Sequence, residues 1–298
     1  MDRSVAGGRV LAGSALLALL LAIIPTPARA APTYLGRPLG GVEPNSVPAV
    51  AGADVSYPEC GGALPLGQAF GVVGVNGGRA NTLNPCLAGE LSWAAYKSSG
   101  DSVEPKVSVY LNTGDPGNSY LGEAVADWPN SGITPFGVCL PTVIYARLFG
   151  AGQVSLACAF EYGYQKSEAD VLWLRKAARR DHLPSQPAAY PFWLDVETTN
   201  SWQNSTLLNA ADLEGMVAAL QLAGVVHLGV YAFAPQWDQI TGGLVSLGAG
   251  SLVASSDWIP VGGSLATAES GCQQTPFVGT TMAITQFFSG PFDADFAC

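Results

Sequence analysis

Residues 191–197 (PFWLDVE) and 210–223 (AADLEGMVAALQLA) predict one strand followed by one helix. The first run is short, apolar and aromatic, which favours a buried strand, and it ends with two acidic residues. In the second run apolar side chains repeat at helical spacing, with Asn209 as the expected N-cap and Gly224 directly after the end. A strand joined to a helix in this way is the unit of a parallel sheet.

The same alternation extends over residues 51–298. Strands are predicted at Ala53–Ser56, Phe70–Asn76, Lys106–Asn112, Pro191–Glu197, His227–Phe233, Ser251–Ser255 and Met282–Phe287. Helices are predicted at Leu87–Ser98, Lys166–Asp181, Ala210–Ala223 and Pro235–Gly243. Because roughly 248 residues match the size of a (β/α)8 barrel, we expect an α/β fold, an irregular TIM-type (β/α)8 barrel in a single domain. Residues 115–160 fit no such unit and are interpreted as an insertion.

The composition indicates a globular protein with a sizeable core, since 48% of the 298 residues are hydrophobic and 12% are charged. A net charge of −10 repels phosphate backbones and anionic membrane surfaces. We therefore expect neither nucleic acid nor a membrane as a partner, and we expect a monomer without a cofactor.

The start of the chain has the pattern of a secretory signal peptide. Residues 1–30 contain basic residues, an apolar run over 10–24 and an A-x-A cleavage pattern at 28–30. A membrane anchor is the alternative, but the run is about 15 residues long where a spanning helix needs about 20. Because residues 1–30 have this pattern, the mature protein is predicted to be secreted. Residues 31–50 are rich in Pro and Gly and are expected to form a linker.

Six cysteines in an exported chain indicate disulfides. Among the fifteen possible pairings, their spacing favours Cys60 with Cys86, Cys139 with Cys158 and Cys272 with Cys298. Zinc-ligand spacing is absent from the cysteines and the two histidines lie far apart in sequence, so we expect no metal site.

Acidic residues end several of the predicted strands, where the active sites of barrels lie. In a strand, residues i and i+2 face the same side, so Asp195 and Glu197 are expected to project together. Two neighbouring carboxylates repel each other, which raises the pKa of at least one of them. Cleavage of a glycosidic bond requires such a pair, with one carboxyl protonated and the other ionised. Asp54 and Asp293 are expected in the same cluster. The alternative is that these are exposed strand-end acids or loop anchors.

Five short motifs follow one another in the chain: Gly52-Ala53-Asp54-Val55-Ser56, Leu194-Asp195-Val196-Glu197, Gly229-Val230-Tyr231, Trp258-Ile259, and Gln286 followed by Asp293-Ala294-Asp295. In this order they resemble the G-x-D-x-S, L-D-x-E, G-x-Y, W-I and closing Q…D motifs of family 25 glycoside hydrolases. These are the lysozyme-type muramidases of bacteria and phages. The motifs are also similar to those of the divergent glycoside-hydrolase-like proteins that actinobacteria export.

The resemblance implies an irregular (β/α) barrel that hydrolyses the β-1,4 bond between N-acetylmuramic acid and N-acetylglucosamine. It implies that Glu197 is the general acid and that Asp195 orients substrate or stabilises developing positive charge. Asp54 and Asp293 match the other active-site carboxylates of the family. Substrate-binding residues are expected to be Tyr231, Trp202, Trp237, Trp258 and Gln286. For each aromatic residue, a place in the core is an equal alternative.

Two family motifs differ in this chain. Residues 73–78 (VGVNGG) lack the K-x-[ST]-E-G ending of the second strand, and residues 109–114 (VYLNTG) lack the His of the third. These differences support a second hypothesis, a non-catalytic carbohydrate-binding or cell-wall-associated protein on the same barrel. On both hypotheses the partner is peptidoglycan or another cell-wall polysaccharide. The enzyme hypothesis further predicts an activity optimum on the acidic side of neutrality.

Overall fold

The computed structural model describes residues 45–121, 123–142, 152–248 and 256–298. Eight of its strands close into a barrel. In chain order these are β1 (Ala51–Val55), β2 (Gly71–Gly74), β3 (Val107–Asn112), β4 (Phe192–Asp195), β5 (Leu228–Tyr231), β6 (Ser256–Pro260), β7 (Met282–Ser289) and β8 (Phe292–Ala297). The α-helices of the described ranges are α1 (Leu87–Lys97), α2 (Leu156–Arg180), α3 (Thr206–Leu222), α4 (Ala234–Thr241) and α5 (Leu265–Gly271).

The strands follow chain order around the barrel, and every neighbouring pair from β1 to β7 is parallel. The last strand, β8, runs antiparallel to both β7 and β1. It therefore begins at the end of the barrel where the parallel strands finish. Its register places Asp295 opposite Gln286 on one side and opposite Gly52 on the other. All described residues belong to one compact unit, and the predicted irregular single-domain barrel is confirmed.

Six of the seven predicted strands overlap an observed barrel strand. The seventh, Ser251–Ser255, lies outside the described residues, and β6 begins directly after it. Neither β8 nor α5 was predicted. In β8 two aspartates interrupt a short run, and acidic residues are depleted in strands, while α5 has only 7 residues and so gives little helical periodicity.

Two predicted helix starts are wrong. Helix α2 begins at Leu156 after Ser155, whose Oγ accepts a hydrogen bond from the backbone N of Cys158 at 3.2 Å, so the insertion ends before residue 156. Helix α3 has Ser205 as its N-cap rather than Asn209. The Asn209 amide is buried and donates instead to the carbonyl oxygens of two residues outside α3.

The interior of the barrel is filled by large aromatic rings that approach two glycines closely. A Cβ on Gly52 would lie 2.4 Å from the ring of Phe70, and one on Gly229 would lie 2.2 Å from the indole of Trp193. Both glycines lie within motifs that the sequence singled out. Their lack of a side chain leaves the space that these rings occupy.

The segment between β3 and α2 carries two small hairpins, formed by Ser119–Tyr120 with Glu123–Ala124 and by Ile133–Thr134 with Gly137–Val138. A disulfide between Cys139 and Cys158 ties this segment to α2. The other two predicted disulfides, Cys60 with Cys86 and Cys272 with Cys298, are also confirmed.

The predicted signal peptide, 1–30, and most of the predicted linker, 31–50, lie outside the described residues. The last part of that linker pairs with the barrel domain, because Val47 N donates to Leu66 O at 3.0 Å and Leu66 N donates to Asn45 O at 2.8 Å. Of the helices in the described ranges, none is long and apolar enough to cross a bilayer.

Candidate active site

A cleft of about 340 Å³ opens where the parallel strands finish. Each barrel strand except β2 supplies at least one lining side chain. The carboxylates in the lining are Asp54 from β1, Asp195 from β4, Glu197 just after β4, and Asp293 from β8. The four acidic residues that the sequence singled out therefore share one cleft.

The register of β4 sets the position of Asp195. It lies opposite Asn112 of β3 and Tyr231 of β5. Alternate residues of β4 face opposite sides, so that Leu194 joins the core shared with the helices and Trp193 joins the cluster inside the barrel. Asp195 continues the inward-facing series and reaches the mouth of the barrel.

The backbone around the two central carboxylates is held by hydrogen bonds. The carbonyl of Asp195 accepts from Thr113 Oγ1 at 2.7 Å and from Thr113 N at 3.2 Å. The carbonyl of Glu197 accepts from Trp202 Nε1 at 2.8 Å and from Asn200 N at 3.1 Å. Both side chains therefore project from an anchored segment.

Burial and nearby negative charges raise the pKa of these two carboxyl groups. Burial raises the pKa of Asp195 well above its ordinary value, and the charges of Glu197 and Asp54 raise it further. Burial, followed by the charge of Asp293, raises the pKa of Glu197. Within the described part of the chain, Asp195 Oδ1 has no hydrogen-bond partner. Ionisation of both groups at once is therefore disfavoured.

A series of hydrogen bonds links three further lining residues. Gln286 Nε2 donates to Asp54 Oδ2 at 2.9 Å, and Tyr231 Oη donates to Gln286 Oε1 at 2.8 Å. Burial and then the charge of Asp293 raise the pKa of Asp54 to about 7, although the bond from Gln286 lowers it. Asp54 therefore gains and loses its proton near neutral pH.

The antiparallel strand β8 supplies two carboxylates. Burial and the charge of Glu59 raise the pKa of Asp293. Asp295 is completely buried, and burial together with the charges of Asp54 and Asp293 holds its pKa well above the ordinary value. The sequence motif contains Asp295 without assigning it to the site, and the structure adds it as a buried neighbour of Asp54.

Of the aromatic residues expected to bind sugar, Tyr231 and Trp258 line the cleft with ring centroids 4.5 Å apart, but Trp258 is only 2% exposed and belongs to the cluster inside the barrel. Trp202 is partly buried against the main core and is not among the described lining residues. Its indole N–H anchors the backbone of Glu197 instead.

The structure places Trp237 in the core. It lies with Ile240 on the buried face of α4, is 2% exposed, and packs near Phe277 with ring centroids 6.2 Å apart. The expectation that Trp237 binds sugar is therefore corrected, because its ring has no open face. The 3-residue spacing of these two apolar side chains on a helix favours a core position.

Two lining residues of β3, Tyr110 and Asn112, were missed by the sequence analysis. They occupy positions i and i+2 near the end of a strand, and the rule applied to Asp195 and Glu197 would have found them. Asn112 is fixed by Asn76, whose Oδ1 accepts from both the backbone N and the Nδ2 of Asn112 at 3.0 Å.

The lining residues offer the chemistry of carboxyl groups. Among the described residues the lining contains no Lys, Arg or His. Likewise, the described part of the chain has no group of three or more His, Cys, Asp or Glu side chains placed to hold a metal ion. The protonated carboxyls of the cleft can donate a proton, and its ionised carboxylates can stabilise positive charge.

One comparison with known proteins covers the segment that carries Asp195 and Glu197. A family model described as "Lysozyme-like protein 1" matches residues 185–253. A curated protein of Dictyostelium discoideum, "Probable GH family 25 lysozyme 4", is 43% identical over 51 residues, which cover 17% of this chain and 23% of that protein. The match therefore spans less than a quarter of the length of that relative.

Solved structures of low identity were also matched. A glycosyl hydrolase 25 of Streptococcus pneumoniae is 15% identical with a TM-score of 0.40, over 83% of this chain and 86% of that one. A lysozyme from Streptomyces coelicolor is 12% identical with a TM-score of 0.41, over 83% and 91% of the two chains. Over short stretches, the chain is similar to a lysozyme-like family model and to a probable family 25 lysozyme.

Proposed function

We propose that this protein hydrolyses β-1,4 glycosidic bonds of peptidoglycan or a related cell-wall glycan outside the cytoplasm. The observation that carries the proposal is the meeting of Asp54, Asp195, Glu197 and Asp293 in one cleft. Glycosidic cleavage needs one carboxyl that gives a proton and another that supports an oxocarbenium-like transition state. A group of four carboxyls that ranges from the buried Asp195 to the exposed Asp293 supplies both forms in one place.

Glu197 is the general acid of the proposed reaction. Burial and the charge of Asp293 raise the pKa of Glu197. The Glu197 carboxyl therefore keeps its proton under mildly acidic conditions. The proton passes from the Glu197 carboxyl to the oxygen of the leaving sugar as the bond to the anomeric carbon breaks, and a water molecule then supplies the hydroxyl that the anomeric carbon gains and the proton that Glu197 regains.

Asp195 and Asp54 support the other side of the reaction. Asp195, inside the mouth of the barrel, orients the sugar or stabilises the positive charge that develops on its ring. Asp54 is held by Gln286, and a hydrogen bond from Tyr231 fixes the amide in turn. The half-buried ring of Tyr231 lies beside these groups and suits the apolar face of a sugar, while Trp258 is 2% exposed and packs edge-on against it.

The substrate class and location are supported by observations outside the cleft. The family model and the curated relative both bear lysozyme names. Three disulfides suit an oxidising compartment, and residues 1–30 have the pattern of a signal peptide.

A second candidate, a wall-binding protein without catalysis, is favoured by one feature. Where the family motif has Lys and Glu after the second strand, this chain has Asn76, which is completely buried and occupied in holding Asn112. This position therefore serves the structure rather than the substrate.

The release of reducing sugars from purified peptidoglycan between pH 4 and 8 tests the proposal. The mature chain, residues 31–298, is compared with Glu197→Gln and with Glu269→Gln, a matched change at an exposed carboxylate of α5. We expect an optimum below pH 7, a loss of about 100-fold to 10,000-fold in Glu197→Gln, and full activity in Glu269→Gln.

Cosedimentation with intact cell walls separates the two candidates. If the folded parent protein binds the walls but releases no sugar, the non-catalytic candidate is correct. If it neither binds nor cleaves peptidoglycan, both are wrong for this glycan.

A further inference from the structure

A second groove, of about 470 Å³, adjoins the cleft. The two spaces share Gly78, Thr199 and Asn200 in their linings. The chain also runs from one to the other after β3, because Asn112 lines the cleft and Thr113 lines the groove. A polymer that enters the cleft can therefore continue into the groove without leaving the protein surface.

One wall of the groove comes from the segment between β3 and α2, and this wall is anchored. Asp115 is completely buried and accepts from Gln203 Nε2 at 2.6 Å and from Gly117 N at 3.1 Å. Farther along, Trp128 is 3% exposed and donates to Gln153 O at 3.3 Å. Together with the disulfide to α2, these contacts make the wall a fixed part of the domain.

The charges of the groove contrast with those of the cleft. Its charged lining residues are Arg79 and Asp127. Asp127 forms an ion pair with Lys166, so its charge is already compensated. Arg79 is exposed, and in the described part of the chain it has no carboxylate within ion-pair distance. The groove thus offers one uncompensated guanidinium beside a cleft lined by four carboxyls.

We infer that the groove binds a carboxylate-bearing part of the glycan, with Arg79 as the residue that recognises the carboxylate. The inference rests on the proposed function, because it assigns a substrate class to the same extended site. The described cleft lining has no Lys, Arg or His to bind an anionic group, so a strand with a neutral sugar in the cleft finds a cation for its carboxylates only in the adjoining groove. A planar guanidinium binds a carboxylate through two parallel hydrogen bonds.

The test compares two glycans and three proteins. The glycans are purified peptidoglycan with its carboxylates intact and the same material after amidation of those carboxylates. The proteins are the mature parent chain, Arg79→Gln and Arg179→Gln, which changes an exposed arginine in the last turn of α2 outside the groove. The readouts are KM and kcat for release of reducing sugars, at low and high salt.

On intact glycan we expect KM to rise about five-fold in Arg79→Gln with little change in kcat, while Arg179→Gln matches the parent. Amidation of the glycan is expected to raise the KM of the parent to the value of Arg79→Gln. The KM of Arg79→Gln itself is expected to be the same on intact and amidated glycan. Salt is expected to weaken the parent more than Arg79→Gln, because screening removes an attraction that the variant lacks. Equal KM values for the parent and Arg79→Gln on intact glycan would overturn the inference.

A binding measurement keeps the inference distinct from the proposed function. Cosedimentation with intact and amidated walls is repeated with Glu197→Gln and with the double variant Glu197→Gln/Arg79→Gln. If the double variant binds intact walls about five-fold more weakly, the inference stands even where no cleavage occurs. Equal binding by the two variants contradicts it whether or not the parent is active.

Discussion

Gln286 and Asp54 are 232 positions apart in sequence, and their side chains are joined by a hydrogen bond of 2.9 Å at the mouth of the barrel. The bond crosses β8, the antiparallel strand that lies between β7 and β1. Since Gln286 also accepts from Tyr231, its amide orientation is fixed with Nε2 toward the carboxylate. Gln286 therefore positions Asp54 and lowers a pKa that burial otherwise raises.

Replacing Gln286 by Met is expected to raise the pKa of Asp54 above its value of about 7, because the donor that favours the ionised form is lost. The limb of the pH profile that reports Asp54 is expected to move to higher pH, with kcat/KM about tenfold lower. The measurement is the pH dependence of peptidoglycan hydrolysis. Gln165→Met, at an exposed glutamine of α2, serves as the control. An unshifted limb in Gln286→Met would show that Asp54 is not the group titrating there.

Glu90 gives a pH dependence of stability outside the cleft. Burial raises its pKa from 4.5 to about 7, even though a bond from Asn84 Nδ2 at 2.6 Å lowers it. The folded protein therefore binds this proton more tightly than the unfolded chain, and the stability it contributes is lost as pH rises from about 4.5 to 7.

Glu90→Gln resembles the protonated form at every pH. We expect it to be more stable than the parent at pH 8, by about 2 kcal/mol after allowance for solvent screening, and equal to the parent at pH 4. Urea unfolding at both pH values measures this difference. A constant offset between the two proteins across pH would contradict the assignment of a raised pKa.

Gly229→Ala tests the packing inside the barrel. Because the added methyl would lie 2.2 Å from the Trp193 indole, we expect a loss of about 1–3 kcal/mol in the free energy of unfolding. The matched change is Gly89→Ala in α1, where the added methyl meets no described atom within 4 Å other than those of its chain neighbours and the adjacent backbone of its own helix. That variant is expected to gain up to about 1 kcal/mol from helix propensity. Equal effects of the two changes would mean that the Trp193 ring does not limit the space at Gly229.

Local sequence patterns predicted much of this protein. The apolar run before Asp195 and the i, i+2 spacing of Asp195 and Glu197 gave the strand and the shared direction of its carboxylates, because both follow from backbone geometry over a few residues. The spacing of the cysteines likewise predicted the three disulfide pairs. The repeated alternation of strands and helices predicted the barrel.

The sequence by itself determined the type of barrel, its disulfides and the kind of group that lines its mouth. The tertiary structure decided that β8 closes the barrel antiparallel, that Trp237 is core while Tyr110 lines the cleft, and that Arg79 is left without a carboxylate partner in the described chain. The physical reason is the range of the interactions. Strand and helix patterns arise from neighbouring residues, whereas closure, burial and charge pairing depend on contacts between segments far apart in the chain.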